Sequence, residues 1–201
     1  MTLRCVLFDL DEVLADYDRS VRVSHLAHAI GRTPEAVQDA IYGSGIEDAA
    51  DSGTLTAETY LDALSTHLGR AVTVDAWTAA RRTATVIRPY MLELAATLGQ
   101  RSTLAILTNN SVLMAQQLHR IAPALFPLFD GRAFASAQFG ARKPDVEVYT
   151  NCLAALKVPA DATLFVDDNE ANVEGARGAG LLVHHYRDFA GLERALADLR
   201  V

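Results

Sequence analysis

Apolar residues in this chain follow two rhythms. Short unbroken runs lie at Arg4–Phe8, Thr103–Leu107, Thr163–Val166 and Leu181–His184, each the size of a buried strand. Arg132–Ala137 is a weaker run of the same kind. Between the runs, apolar residues recur at helical spacing. Val112, Ala115, Leu118 and Ile121 would share one helix face, and so would Val146, Tyr149, Leu153 and Leu156, in a helix that Pro144 is placed to open. Strands alternating with helices predict βαβ units, hence a parallel sheet covered by helices on both faces.

The stretch from Tyr17 to Arg88 breaks this alternation and reads as helices only. Val23, Leu26, Ala27 and Ile30 form a stripe that Gly31 ends. Thr33 is placed to cap a helix with Pro34 at its first position. Leu61, Leu64 and Leu68 form a further stripe, started by Thr56 and ended by Gly69. The expected architecture is α/β: a Rossmann-like parallel-sheet core of residues 1–16 and 89–201, with a small all-helical cap, residues 17–88, inserted after the first strand. A cap at that place would lie over the carboxyl ends of the strands, where open parallel sheets bind ligands.

Composition narrows the partners. Half of the 201 residues are hydrophobic and 21% are charged, enough to bury a core. The net charge of −7 disfavours nucleic acid and anionic membrane surfaces. No apolar run reaches the roughly 18–20 residues that span a bilayer. The first residues, MTLRCVLFDLDEV, are cut by carboxylates and do not read as a signal peptide. Cys5 and Cys152 sit in apolar segments and read as reduced, buried thiols of a cytoplasmic protein.

Four short motifs carry candidate chemistry. Asp9 and Asp11 close the first run, and residues two apart in an extended segment point the same way. Asp167 and Asp168 close another run, although alone they could equally cap a helix. In a parallel sheet both tips share one edge, so up to four carboxylates would crowd together and demand a cation. All-oxygen ligands with room for phosphate select Mg²⁺. Thr108-Asn109-Asn110-Ser111 opens a helix and offers either an oxyanion site or plain capping. Lys143, in Arg-Lys-Pro-Asp, is one of only two lysines against sixteen arginines, which suggests a use for a compact ammonium.

Other features are set aside. His184-His185 should face opposite sides of a strand, and Trp77 reads as packing within the helical stretch. Gly175-x-x-Gly178-x-Gly180 follows a helix and reads as its C-terminal turn, not a dinucleotide loop. Gly43-Ser44-Gly45 lacks the residues of a nucleotide-triphosphate loop and reads as a turn.

Taken together, the order D-x-D, T-N, K-P, D-D at strand ends resembles the haloacid dehalogenase-like hydrolases over nearly the whole chain. The run from Gly140 to Gly180 is most similar to the subfamily with a helical cap after the first motif, and to its sugar-phosphate phosphatases of the alpha-glucose-1-phosphate type. The resemblance implies a Mg²⁺-dependent phosphomonoesterase acting on a small phosphorylated metabolite. Asp9 would be the nucleophile, Asp11 the acid/base, and Thr108, Asn109 and Lys143 the phosphate ligands. The metal would sit on Asp9, the Asp11 backbone carbonyl, Asp168 and Asp167. Arg19, Tyr42 and Asp51 are candidates for substrate contacts from the cap. The family pattern has Gly where this chain has Glu12, so Glu12 is expected to point outward, towards solvent or a basic residue such as Arg19 or Arg22. Turned inward, its charge would leave a non-catalytic phosphate-binding or regulatory protein weakened by Glu12. A phosphomutase and a dehalogenase are rivals from the same superfamily; Asp11 favours phosphate over the latter. A two-component receiver domain uses similar residues in another order and has no helical insert.

Overall fold

The computed structural model describes residues 3–199. The chain opens with β1 (Cys5–Phe8) and β2 (Ala15–Tyr17), then runs through α1 (Arg19–Ile30), α2 (Pro34–Gln38), α3 (Ile46–Asp51), α4 (Ala57–Leu68) and α5 (Val74–Thr83). It continues as β3 (Thr85–Ile87), α6 (Pro89–Leu98), β4 (Thr103–Thr108), α7 (Val112–Ile121), β5 (Ala133–Ala135) and α8 (Val146–Leu156). It closes with β6 (Thr163–Asp167), α9 (Glu170–Gly178), β7 (Leu182–His185) and α10 (Phe189–Asp198). No helix among the described residues is long and apolar enough to cross a membrane.

The fold is the expected α/β architecture. One parallel five-stranded sheet has the order β5-β4-β1-β6-β7. Alternate residues of β1 go to opposite faces: Val6 and Phe8 join one apolar cluster, Cys5 and Leu7 the other. Both cysteines are buried and free, and both lie in the second cluster. The first cluster continues from the sheet into the helices before β3, through Leu26, Leu64 and Trp77. Register positions the site. Phe8 pairs with Ile106 and with Val166, so Asp9 and Asp167 leave neighbouring strands together, and Thr108 ends β4 at the same edge.

The structure corrects the sequence reading in three places. The stretch read as helices only carries a strand at each end: β2 and β3 form an antiparallel ribbon in which Tyr17 pairs with Thr85. Pro144 does not open α8, which starts at Val146 after Asp145, because Pro144 belongs to the loop that brings Lys143 to the sheet edge. The buried faces are also shifted. Val146 is 46% exposed, while Val148 and Cys152 are buried; in α7, Leu113 and Met114 fill the core more fully than Val112 and Ala115. Three residues fall about 60° short of a helical turn, so an i, i+3 stripe drifts off the buried face. The cap signals hold. Gly31 and Gly69 end their helices in the left-handed conformation, and Thr33 and Thr56 accept from backbone N–H groups.

Gly175 fixes the Lys143 loop. A methyl group there would sit 2.1 Å from the Pro144 carbonyl oxygen. Gly175→Ala should therefore cost about 1–3 kcal/mol, as overpacking does, and displace the loop. Denaturant unfolding checks this, and a variant as stable as the native chain would show that the loop yields freely.

Candidate active site

Three carboxylates meet at the carboxyl edge of the sheet. Asp9, Asp167 and Asp168 each offer an oxygen within 4.8 Å of the others. Lys143 reaches between two of them, its Nζ 2.9 Å from Asp9 Oδ1 and 2.6 Å from Asp167 Oδ2, with only 1% of its side chain exposed. Burial pushes the Asp9 carboxyl up to about 8, against the pull of Lys143 and with a further push from Asp167. Burial alone would lower the Lys143 ammonium, but the Asp9 and Asp167 carboxylates outweigh it and hold the ammonium charged. Asp167 is otherwise fully engaged, accepting from the Asn169 N–H at 2.8 Å and from Asn172 Nδ2 at 3.1 Å. Asp168 is exposed. His185 Nε2 lies 2.8 Å from its carbonyl oxygen, a role that the adjacent-histidine reading missed.

Thr108 and Asn109 lie beside this cluster with different duties. Thr108 is buried at the cavity wall, and its Oγ1 accepts from Asn110 Nδ2 at 2.8 Å. The Asn109 amide turns to the Lys143 backbone. It donates to the Lys143 carbonyl and accepts from the Lys143 N–H, both at 2.8 Å. Its side chain thus staples two loops and leaves only its backbone for an anion.

Asp11 is not the fourth carboxylate of the cluster. Its Oδ2 is 2.5 Å from Arg81 Nη2, which α5 delivers from the helical segment. The Arg81 guanidinium stacks 3.7 Å over the Tyr17 ring. Arg81 escaped the sequence reading because a basic residue in the last turn of a helix already has a reason to be there.

Glu12 takes the left-handed conformation that Gly would adopt freely, with φ 61° and a cost of about 1–2 kcal/mol. Its side chain is half exposed, lines the cavity above Asp9 and accepts from the Tyr17 N–H at 3.2 Å. The partner is Arg88, at 3.3 Å, not the expected Arg19 or Arg22. Arg88 follows β3 and is brought there by the β2–β3 ribbon, where it also holds the Glu12 carbonyl at 2.6 Å and Asp16 at 2.5 Å. Exposed pairs of this kind contribute little, so Glu12→Gln should change kcat/KM by about threefold or less. A rise of about tenfold would place the Glu12 charge against the substrate instead.

The helical segment and the sheet edge together line a cavity of about 510 Å³ over these groups. Arg19, Tyr42 and Asp51 all line it. Arg19 lies 5.0 Å over the Tyr42 ring, and the Tyr42 and Tyr17 hydroxyls are 2.7 Å apart. Arg22 is buried against Glu47 at 2.6 Å and takes part in a network with Tyr17, Tyr42 and Tyr60. Trp77 packs edge-on against Tyr60, as a packing residue would. Burial, with Glu47 nearby, pushes the Asp51 carboxyl up to about 8. Besides Arg81 on Asp11, further contacts hold the segment down on the core: Ser136 Oγ donates to the Asp51 carbonyl at 2.8 Å, Arg142 meets Asp48 at 2.7 Å and Arg120 meets Asp75 at 2.8 Å.

Comparison with known proteins agrees with this geometry. The chain is 37% identical over 92 residues to the sesquiterpene phosphatase astK of Aspergillus oryzae, a match covering 45% of each chain. It is 41% identical over 76 residues to phosphatase MT3486 of Mycobacterium tuberculosis, covering 38% of this chain and 35% of that one. The matched stretch thus spans less than half the length of these curated relatives. Among solved structures, an enzyme of the same family from Bacteroides thetaiotaomicron, BT-2542, in complex with magnesium and inorganic phosphate, superposes with a TM-score of 0.77. That match has 21% identity and covers 94% of this chain and 98% of the other. A family model for hydrolases of the haloacid dehalogenase-like type matches residues 3–180, and on that extent the chain belongs to the haloacid dehalogenase-like hydrolase family.

Proposed function

We propose that the chain is a Mg²⁺-dependent phosphomonoesterase that acts on a small phosphorylated metabolite, a sugar phosphate, through an aspartyl-phosphate intermediate. Residues 17–88 act as the cap of a core made by residues 1–16 and 89–201. The observation that carries this reading is the buried Asp9–Lys143–Asp167 group at one sheet edge, beneath a polar cavity. The names of the two curated relatives support it.

In this reading Asp9 attacks phosphorus in line, forms the acyl phosphate and expels the alcohol oxygen. Asp11, which lies outside the acidic cluster, protonates that oxygen. It then takes a proton from the water that cleaves the acyl phosphate and restores Asp9. Lys143, the Thr108 hydroxyl and the Asn109 backbone N–H hold the phosphoryl oxygens. The donor set fits a hard cation: three carboxylates share one ammonium, which leaves net negative charge. Asp9, Asp168 and the Asp11 backbone carbonyl would hold Mg²⁺, with Asp167, already occupied by Lys143 and two amide donors, in the outer shell. Bound there, Mg²⁺ screens the carboxylate from the phosphoryl group.

Hydrolysis of p-nitrophenyl phosphate and a panel of phosphate esters tests the reading. Excess chelator should abolish activity, and Mg²⁺ should restore it far better than Ca²⁺, whose longer and looser coordination misplaces the nucleophile. Full activity in chelator would overturn the metal assignment, and no hydrolysis of any ester with Mg²⁺ would overturn the activity.

A further inference from the structure

Buried polar atoms almost always find a partner, and a cluster that lacks them marks a place where something else binds. Among the described residues seven buried side-chain atoms lack one; Thr78 Oγ1 and His184 Nε2 lie elsewhere, and the other five are Asp51 Oδ1, Arg81 Nε, Arg81 Nη1, Arg22 Nε and Asp11 Oδ1. The side chains of these five all line the cavity above Asp9. Asp51 and Arg81 are 9% and 1% exposed.

We propose that Asp51 and Arg81 are specificity-determining residues that receive the alcohol part of the substrate, and that they select an ester bearing a hydroxyl on the carbon next to the phosphorylated one. The proposal rests on the phosphomonoesterase reading above and names what that reading leaves open.

Position is the first argument. Arg81 Nη2 touches Asp11 Oδ2 at 2.5 Å, and Asp11 is the group that would meet the leaving oxygen. The remaining nitrogens of the same planar guanidinium therefore lie within reach of a substituent one carbon away. Rigidity is the second. The guanidinium is stacked 3.7 Å over Tyr17, the Arg81 carbonyl accepts from Thr85 Oγ1 at 2.8 Å, and the Asp51 backbone is pinned by Ser136. Neither residue needs to be ordered when substrate arrives. Complementarity is the third. A guanidinium donates and the Asp51 carboxyl accepts at its unpaired oxygen, a hydroxyl can satisfy either, and a methylene satisfies neither. Ile41 is the only aliphatic side chain of the cavity wall. A terpenyl chain, of the kind named for the Aspergillus oryzae relative, would leave these groups buried and unpaired.

Initial rates of the native chain with Mg²⁺ on matched esters test this. The set is racemic glycerol 3-phosphate, 3-hydroxypropyl phosphate, n-propyl phosphate and farnesyl phosphate, with p-nitrophenyl phosphate reporting the phosphatase chemistry independently. Sites built to bond a hydroxyl reject analogues lacking it strongly, so kcat/KM for glycerol 3-phosphate should exceed that for 3-hydroxypropyl phosphate by about thirtyfold or more. In Asp51→Ala the same ratio should fall below about fivefold, whereas Asp51→Asn, whose amide can still bond a hydroxyl, should keep most of it. Because the ratio is taken within one protein, any general loss from altered folding divides out. A native ratio near one, a preference for farnesyl phosphate, or an unchanged ratio in Asp51→Ala would overturn the proposal while p-nitrophenyl phosphate is still hydrolysed. If p-nitrophenyl phosphate is not hydrolysed either, the phosphomonoesterase reading falls and takes this one with it.

Discussion

Replacing Asp9 by Asn should stop turnover and leave the fold intact. Asn keeps the shape and can still accept from the Leu10 N–H, a bond of 2.8 Å in the native chain. It cannot serve as the anionic nucleophile, so the covalent route closes. Loss of that route should lower kcat by about a thousandfold or more, several kcal/mol of barrier. Folding gives the control. The native Asp9 carboxyl is raised to about 8 by burial, so between its ordinary value and 8 the folded protein holds a proton that the unfolded chain releases. Stability therefore falls as pH rises across that window, and a neutral Asn avoids the loss. In chelator at neutral pH, Asp9→Asn should unfold at a temperature no lower than the native chain. More than about a hundredth of native activity would remove Asp9 from the nucleophile's role.

Lys143→Met should damage both stability and catalysis. Methionine fills similar volume but leaves the Asp167 carboxylate, 0% exposed, with no cation beside it and the Asp9 carboxyl, 11% exposed, facing it. Breaking a buried pair by removing one partner costs about 3–5 kcal/mol. Denaturant unfolding in chelator should show a loss of that order, and added Mg²⁺ should recover part of it because an ion that binds only the folded chain stabilises it. Activity with Mg²⁺ should still fall by about a hundredfold or more, since a phosphoryl ligand is gone. A metal-free variant as stable as the native chain would mean that the buried Asp167 carboxylate does not need the ammonium.

The sheet was legible because its central strands are covered on both faces. β1, and β4 and β6 between their end residues, are therefore apolar throughout, and the chain turns polar where they end. That change falls at Asp9, at Asn109 after Thr108, and at Asp167, so the candidate site could be read as a set of strand tips. The β2–β3 ribbon was not legible. Each of its strands has three residues with a single buried position, too few for an alternation to register. Side-chain direction was not legible either. Nothing local says that Asp11 turns to a guanidinium seventy residues away, that the Asn109 amide staples the Lys143 loop, or that Arg88 is the partner of Glu12. Those contacts follow from how the helical segment folds back on the sheet edge, information spread over the whole chain.

The ribbon has a consequence for how such a chain can change over time. Tyr17 pairs with Thr85, and the Asp18 N–H bonds the Ala84 carbonyl at 3.0 Å, so the excursion of residues 18–84 departs and returns at one point. To the sheet it is a hairpin loop that has acquired helices. Closing a loop becomes only slowly more costly as it lengthens. Helices there can be gained, lost or exchanged without re-threading a strand or moving Asp9, Lys143 and Asp167. Chemistry and selectivity are thereby heritable as separate parts, the first fixed in the register of the sheet, the second free to drift in the loop.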